Sequence, residues 1–428
     1  MPSRAVNPHT KDFGVGVKTL IVGLMVLGGG WAASRAAEEP ETPDWPILIA
    51  QLRQEVQRRP GHALSREQLA IAYNNYGVSL SNAGQWEPAV TQLQEAIRVD
   101  PQNKQFRENL ANVYINQAQV LSENHREGEA LSIITQALEL NPHLAGAYLL
   151  LGDIEYGRQR LKEAQGAWER ALNLDPANTV LAGRLDKLKQ ELPVESNFDR
   201  ISQAYFDLRY EDEFERPAGF DIRDALLQAR RDVGSDFAYW PKYKIVVLIY
   251  SNAHFRALRQ ETPEWVGGLY DGKIRVPLPG NEFDANRVRE ILFHEYTHAL
   301  VHDLAKDRCP QWLNEGLATY EGMKHGEARF GQLAKALAAQ QLPPWDRLND
   351  QFAWGLPVDQ VELGYEQSHS IIRYLVERYS FWRLRRVLNA LTDGATVEDA
   401  LAREYRLKLN RLEADWRKWL QDQSSAAR

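Results

Sequence analysis

The sequence predicts an α+β protein in two parts: an amino-terminal all-helical solenoid, then a domain in which a small mixed β-sheet precedes several helices. Three observations in its 428 residues predict this. Small residues and prolines recur at matching spacing between residues 70 and 176. Short β-branched and aromatic runs bounded by turn residues follow between 206 and 278. Apolar residues then return at helical spacing, with Ile371, Ile372, Leu375, Leu384 and Val387 among them.

In the first part, Asp100-Pro101, Asn141-Pro142 and Asp175-Pro176 close three similar units whose prolines stand 41 and 34 residues apart. Aligned on those prolines, Gly77, Ala118 and Gly152 share one column, Ala89, Ala130 and Ala164 a second, and Ala96, Ala137 and Ala171 a third. Small residues there let the paired helices of a unit approach closely. The pattern resembles the tetratricopeptide repeat, with seven extra residues in the second unit. A helix from Pro46 to Arg58 and another from Thr179 to Leu192 are expected to cap the array, because end repeats need a polar outer face. The repeat domain is therefore expected over residues 45–193, with Pro193 to Asn197 as a linker. Its concave groove suits an extended peptide or a partner protein's tail; docking on the chain's own second domain is the other use open to it.

The second domain is expected over residues 198–424. Phe206 to Tyr210 reads as a strand, Ile222 to Val233 as a helix, and Lys244 to Tyr250 as a strand. Two further runs, Trp265 to Tyr270 and Lys273 to Leu278, flank Asp271-Gly272, a strong hairpin signal. Pro277 and Pro279 cannot donate to a ladder, which confines their strand to an edge or its end. Trp382, Trp416 and Trp419 read as packing residues. The segment between Met323 and Gly364, with Pro343-Pro344-Trp345 and Trp354-Gly355-Leu356-Pro357, reads as a variable stretch of the kind that sets substrate choice.

Within this domain His294-Glu295-Tyr296-Thr297-His298 is the most specific motif. On a helix, residues four apart share a face, so His294 and His298 can offer imidazole nitrogens to one metal ion, with Glu295 beside it as a base. The helix is expected to start after Gly280-Asn281 and to end near Asp307, with Cys309-Pro310 as its stop. Beyond His298, Trp312-Leu313-Asn314-Glu315-Gly316 opens a second helix, and Glu315, seventeen residues after His298, supplies the third ligand of a site whose fourth position stays open. His302 continues the row, but lies about 12 Å along the helix from His294, which suits a surface histidine.

H-E-x-x-H followed by W-L-N-E-G resembles the gluzincin zinc peptidases, the group that contains thermolysin and aminopeptidase N. The resemblance implies one zinc ion per chain on His294, His298 and Glu315, with Glu295 as catalytic base. It also implies that Tyr365, in Gly364-Tyr365-Glu366-Gln367-Ser368, hydrogen-bonds the oxyanion of the reaction; His369 is the second candidate donor. The strand with which aminopeptidase N grips a free amino terminus has no counterpart, and the expected mode is endopeptidase. Across residues 200 to 420 the chain is similar to compact bacterial gluzincin domains called peptidase MA-like, which commonly travel with helical repeats. Thermolysin places a carboxylate that orients a zinc histidine four residues after its glutamate ligand; here that position is Thr319, with Glu321 and Asp303 as other candidates.

The amino terminus has Arg4, Lys11 and Lys18, an apolar run from Leu20 to Ala33, and Ser34-Arg35-Ala36-Ala37, the layout of a secretory signal peptide over residues 1–37. An exported protein, periplasmic or secreted, is expected; if the segment is retained, it anchors the protein to the inner membrane. Loss of residues 1 to 36 removes four basic side chains and one acid, which takes the formal charge from -7 to -10 and makes nucleic acid a poor partner. The one cysteine, Cys309, cannot form an internal disulfide. Two functions are consistent with the whole. One is an exported zinc metallopeptidase that cleaves peptide bonds of protein or peptide substrates, with repeats that recruit a partner or substrate. The other is a repeat-based envelope adaptor or assembly factor whose second domain is a non-catalytic binding or structural module.

Overall fold

The computed structural model describes residues 43–211, 216–259, 268–278, 284–325, 331–353 and 355–426. The signal-like amino terminus lies outside these residues, as do Trp265, Val266, Gly267, Pro279, Gly280, Asn281 and Trp354. Two compact units divide the chain between Lys189 and Gln190. Among the described residues no helix is long and apolar enough to cross a membrane.

The first unit is a run of helices: α1 (Trp45–Arg58), α2 (Ala63–Asn82), α3 (Trp86–Val99), α4 (Lys104–Glu123), α5 (Glu127–Leu140), α6 (Ala145–Gly157), α7 (Leu161–Leu174) and the first part of α8 (Thr179–Glu195). The repeat columns are its contact points. Ala89, Ala96, Ala118, Ala130, Ala137 and Ala164 are fully buried. A Cβ on Gly77 would stand 2.7 Å from Leu93 Cγ, and one on Gly152 would stand 2.1 Å from Trp168 Cδ1, so no larger residue fits where the helices cross. The seven extra residues of the second unit form no loop. They are about two further turns at the start of α4, which has 20 residues against 13 in α6, and α2 shares the longer form with 20.

The second unit is built on a five-stranded sheet in the order β1–β2–β3–β5–β4. Its strands are β1 (Asp199–Ser202), β2 (Phe206–Tyr210), β3 (Ile245–Ser251), β4 (Leu269–Tyr270) and β5 (Ile274–Leu278). The pairs β2–β3 and β3–β5 are parallel, while β1–β2 and β4–β5 are antiparallel, so the sheet is mixed as expected. β5 is an inner strand. Its Pro277 lies opposite Tyr250 of β3, beyond the two residues that β4 pairs, so its missing N–H costs that ladder nothing. Tyr270 pairs with Ile274, which makes the hairpin loop three residues rather than two, with Gly272 at φ +91°.

One sheet face, with Ile245, Val247, Ile249, Ile274, Val276 and Leu278, joins the main core beneath α9 (Arg216–Phe237) and α11 (Ala285–Ala305). On the other face Val246, Leu248 and Tyr250 pack with Phe255 of α10 (Asn252–Leu258), Val194 and Phe198. Here the expected linker is corrected: α8 continues through Pro193 to Glu195. The cause is tertiary. Glu191 meets Arg259 at 2.7 Å, and Glu195 meets Arg275 at 2.8 Å and Tyr250 Oη at 2.5 Å, with both carboxylates and Arg275 buried. The remaining helices are α12 (Gln311–Gly322), α13 (Gly331–Ala338), α14 (Val358–Tyr379), α15 (Phe381–Thr392), α16 (Val397–Tyr405) and α17 (Leu409–Ala426). Trp416 is buried and Trp419 packs on the same core. Trp382 departs from its expected packing role: it is 48% exposed, with the guanidinium groups of Arg383 and Arg386 over its ring.

Candidate metal centre

The metal-binding motif sits on α11, whose first amides are capped by Asp284 through Asn286 N at 2.9 Å and Arg287 N at 3.2 Å. Val288, Leu292, Tyr296, Ala299 and Leu300 bury one face of this helix. It ends at Ala305, slightly before the expected Asp307. A 3₁₀ turn at Lys306–Arg308 then reverses the chain into α12, where Glu315 is the fifth residue. This short connection returns α12 alongside α11 and sets Glu315 against the two histidines.

His294 Nε2 and His298 Nε2 are 3.1 Å apart, and Glu315 Oε2 lies 3.4 Å from the first and 3.6 Å from the second. A tetrahedral zinc with bonds of about 2.0–2.2 Å holds its ligand atoms about 3.3–3.6 Å apart. The three donors thus already have the spacing of one face of that tetrahedron. Among the described residues this is the single group of three or more such donors. His298 Nδ1 is 2.9 Å from Asn314 Oδ1; with N–H donating there, the Nε2 lone pair is left facing its neighbours. Two facing nitrogen lone pairs and a carboxylate oxygen repel one another unless a proton or cation sits between them. The donor set fits zinc on these grounds. The side chains keep 23%, 11% and 13% exposure, so the cluster is reached from one side.

Electrostatics follow from burial. Desolvation pulls His294 down, but the Glu315 and Glu295 carboxylates outweigh it and leave the imidazole above its usual value. His298 stays below its usual value because burial wins there. Burial would raise Glu315, yet the two histidines and a hydrogen bond from Tyr365 hold it lower than usual. Burial pushes Glu295 up to about 8; His294 opposes the shift, and Glu315 and Asp271 add to it. Glu295 is 4% exposed, and among the described residues its Oε2 has no hydrogen-bond partner. A Cβ on Gly268, just before β4, would stand 2.5 Å from Glu295 Oε1, so this backbone runs directly against the carboxylate.

Tyr365 reaches the cluster through its hydrogen bond to Glu315. α14 comes this close because Gly316 follows Glu315: a Cβ there would stand 2.9 Å from Ser368 O. His369 is buried one turn on, against Tyr320 at 6.0 Å, and burial depresses it to about 4. His302 is 45% exposed and lies beside Tyr270, the position expected of a surface histidine. The three residues considered for orienting a histidine do not take that part with His298; Asn314 does. Asp303 accepts from Tyr239 and Tyr243 at 2.9 Å, and Glu321 pairs with Lys324 at 3.4 Å. Thr319 is buried in α12, and among the described residues its Oγ1 has no hydrogen-bond partner. Asn314 was readable in principle, since it adjoins the glutamate ligand and carries an amide oxygen. Gly316 and Gly268 gave no chemical signal and act only through space.

Two solved structures are similar to the repeat part. One is the first tetratricopeptide domain of Spaghetti (RPAP3) bound to an HSP90 peptide, at 26% identity over 30% of this chain and 95% of that one, with a TM-score of 0.23. The other is the first such domain of human RPAP3, at 25% identity over 31% and 98%, also with a TM-score of 0.23. No curated protein matches the chain. Residues 222–422 match the family model of the Peptidase MA superfamily, a stretch that contains the histidines, both glutamates, Asn314 and Tyr365.

Proposed function

We propose that the second unit is a zinc-dependent endopeptidase of protein or peptide substrates, exported by the leader-like amino terminus and served by the repeat unit for recruitment. The observation that carries this reading is the convergence of His294, His298 and Glu315 at the ligand spacing of a tetrahedral ion, with the buried Glu295 beside them. The match to the Peptidase MA superfamily supports the reaction class.

Zinc held by these three residues would supply a Lewis acid for the scissile carbonyl and for water. The chain supplies the rest. Glu295 accepts a proton from the attacking water and returns it to the amine nitrogen as the carbon–nitrogen bond breaks. Asn314 holds His298 in the tautomer that leaves Nε2 unprotonated. Tyr365 O–H exchanges Glu315 for the oxyanion as charge develops on the carbonyl oxygen. A substrate strand adding along β4 would run past Glu295, because the backbone at Gly268 already touches that carboxylate.

Metal analysis of the purified protein, together with Glu295→Gln, tests the reading. About one zinc per chain is expected in both proteins, with hydrolysis of a denatured protein substrate falling about 10²–10⁴-fold in the variant. Full zinc occupancy in a His294→Ala, His298→Ala double variant would remove the site. A Glu295→Gln protein that keeps its cellular role would favour the adaptor.

A further inference from the structure

The 3₁₀ segment Trp345–Phe352 touches both helices that carry the site, and we propose that it is a positioning clamp for Glu315 and Tyr365. The proposal rests on the zinc-peptidase reading and deepens it. α12 begins behind Pro310, which offers no side-chain acceptor for the first amides of the helix. Asn349 supplies one from 37 residues further along: Trp312 N donates to its Oδ1 at 3.1 Å. The capped turn leads directly into Asn314 and Glu315, so this cap fixes the end of the helix that carries the third ligand and the partner of His298.

At its far end the same segment meets α14. A Cβ on Gly364 would stand 2.8 Å from Gln351 Cβ, so only glycine lets the segment come this close immediately before Tyr365. Phe352 then sets its ring edge-on to Tyr365, with centroids 5.2 Å apart. The segment is itself anchored. Trp345 and Leu348 are buried, Trp345 N donates to Glu413 Oε2 at 3.2 Å, and Gln367 Nε2 donates to Pro343 O at 2.8 Å. Arg417 Nη2 donates to Leu342 O at 3.1 Å. These contacts pin its start to α14 and α17 and present its end to the ligand helix and the phenol. Such a segment is a fixed backing for the site.

Hydrogen exchange, zinc competition and steady-state kinetics on the full chain test this. Asn349→Ala should speed exchange of the amides at the start of α12 about fivefold, the usual cost of a lost cap. It should also weaken zinc about tenfold against a chelator, and Asn349→Asp, which keeps the acceptor, should restore both. Phe352→Ala should leave those amides and zinc unchanged while kcat falls about tenfold at constant KM. Unchanged amides in Asn349→Ala, or faster amides with zinc affinity intact, would overturn the clamp while leaving the zinc site standing. A wild-type protein that takes up no zinc would remove the peptidase reading and, with it, any positioning role.

Discussion

Replacing Gly316 with alanine places one methyl group between the ligand helix and α14, and the structure gives its surroundings. The new Cβ would meet Ser368 O at 2.9 Å and Ile372 Cγ1 at 3.0 Å. Carbon atoms rest about 3.5–4.0 Å apart, so the helices must separate by about half an ångström. The nearest obstacle is a main-chain carbonyl, which cannot rotate away as a side chain could. Overpacking of this kind costs about 1–3 kcal/mol, and the helical preference of alanine over glycine returns up to about 1 kcal/mol. With the overpacking at about 2 kcal/mol, the middle of its range, the net loss is about 1–2 kcal/mol, which lowers Tm by about 2–8 °C for a unit of this size. Ser368 lies on α14 with Tyr365, so the phenol moves away from Glu315 and kcat should fall about tenfold. Calorimetry, zinc analysis and steady-state kinetics together measure these effects. Gly166→Ala in α7, where nothing lies within 4 Å, is the control and should stabilise the repeat unit by about 0.5–1 kcal/mol. An unchanged or raised Tm in Gly316→Ala, with full turnover, would refute the packing argument.

Asn314→Leu removes the acceptor for His298 Nδ1 and should weaken zinc about 10–100-fold in a chelator competition, whereas Asn314→Asp should bind near the wild-type level. Tyr365→Phe should keep fold, zinc and KM while turnover falls about a hundredfold; near wild-type turnover would exclude the role, and His369→Ala would be the next variant to make. A fragment of residues 198–428 lacks Glu191 and Glu195 and leaves Arg259 and Arg275 buried without them, so it should be about 3–5 kcal/mol less stable to urea than a fragment of residues 190–428. Equal stability of the two fragments would show that this ion network does not hold the second unit together.

What was legible in the sequence depended on short-range periodicity. The columns at Gly77, Ala89 and Ala96 and their repeats were readable because one helical pair recurs, and His294, His298 and Glu315 because a single turn and a short connection place them. Contacts made at long range left no such trace. Pro193 reads as a helix stop, yet α8 passes through it because Glu191 and Glu195 find Arg259 and Arg275, 68 and 80 residues later. Nothing around Asn349 announces that it caps a helix that starts 38 residues before it. Strand β1 is short and polar, with three of its four residues exposed, and carries no strand signal of its own.

The glycines at positions 268, 316 and 364 share one consequence. Each lies beside a residue given a role in the site, and each admits backbone or packing atoms that a Cβ would exclude: Gly268 at Glu295, Gly316 after Glu315, and Gly364 before Tyr365. The site is therefore packed closely around three glycines, most rigidly at Gly316, where the near atom is a main-chain carbonyl. A scaffold that only bound a partner would gain nothing from such closeness, and it would carry the cost of the buried carboxylate of Glu295. An unsatisfied buried acceptor costs about 1–3 kcal/mol, more when charged. An apolar side chain in place of Glu295 would remove that cost, and a protein departs from such a choice where a reaction requires it. The arrangement therefore favours a peptidase over an adaptor, and Glu295→Leu distinguishes the two directly: a gain in stability with loss of hydrolysis is the signature of a catalytic carboxylate held at a cost to the fold.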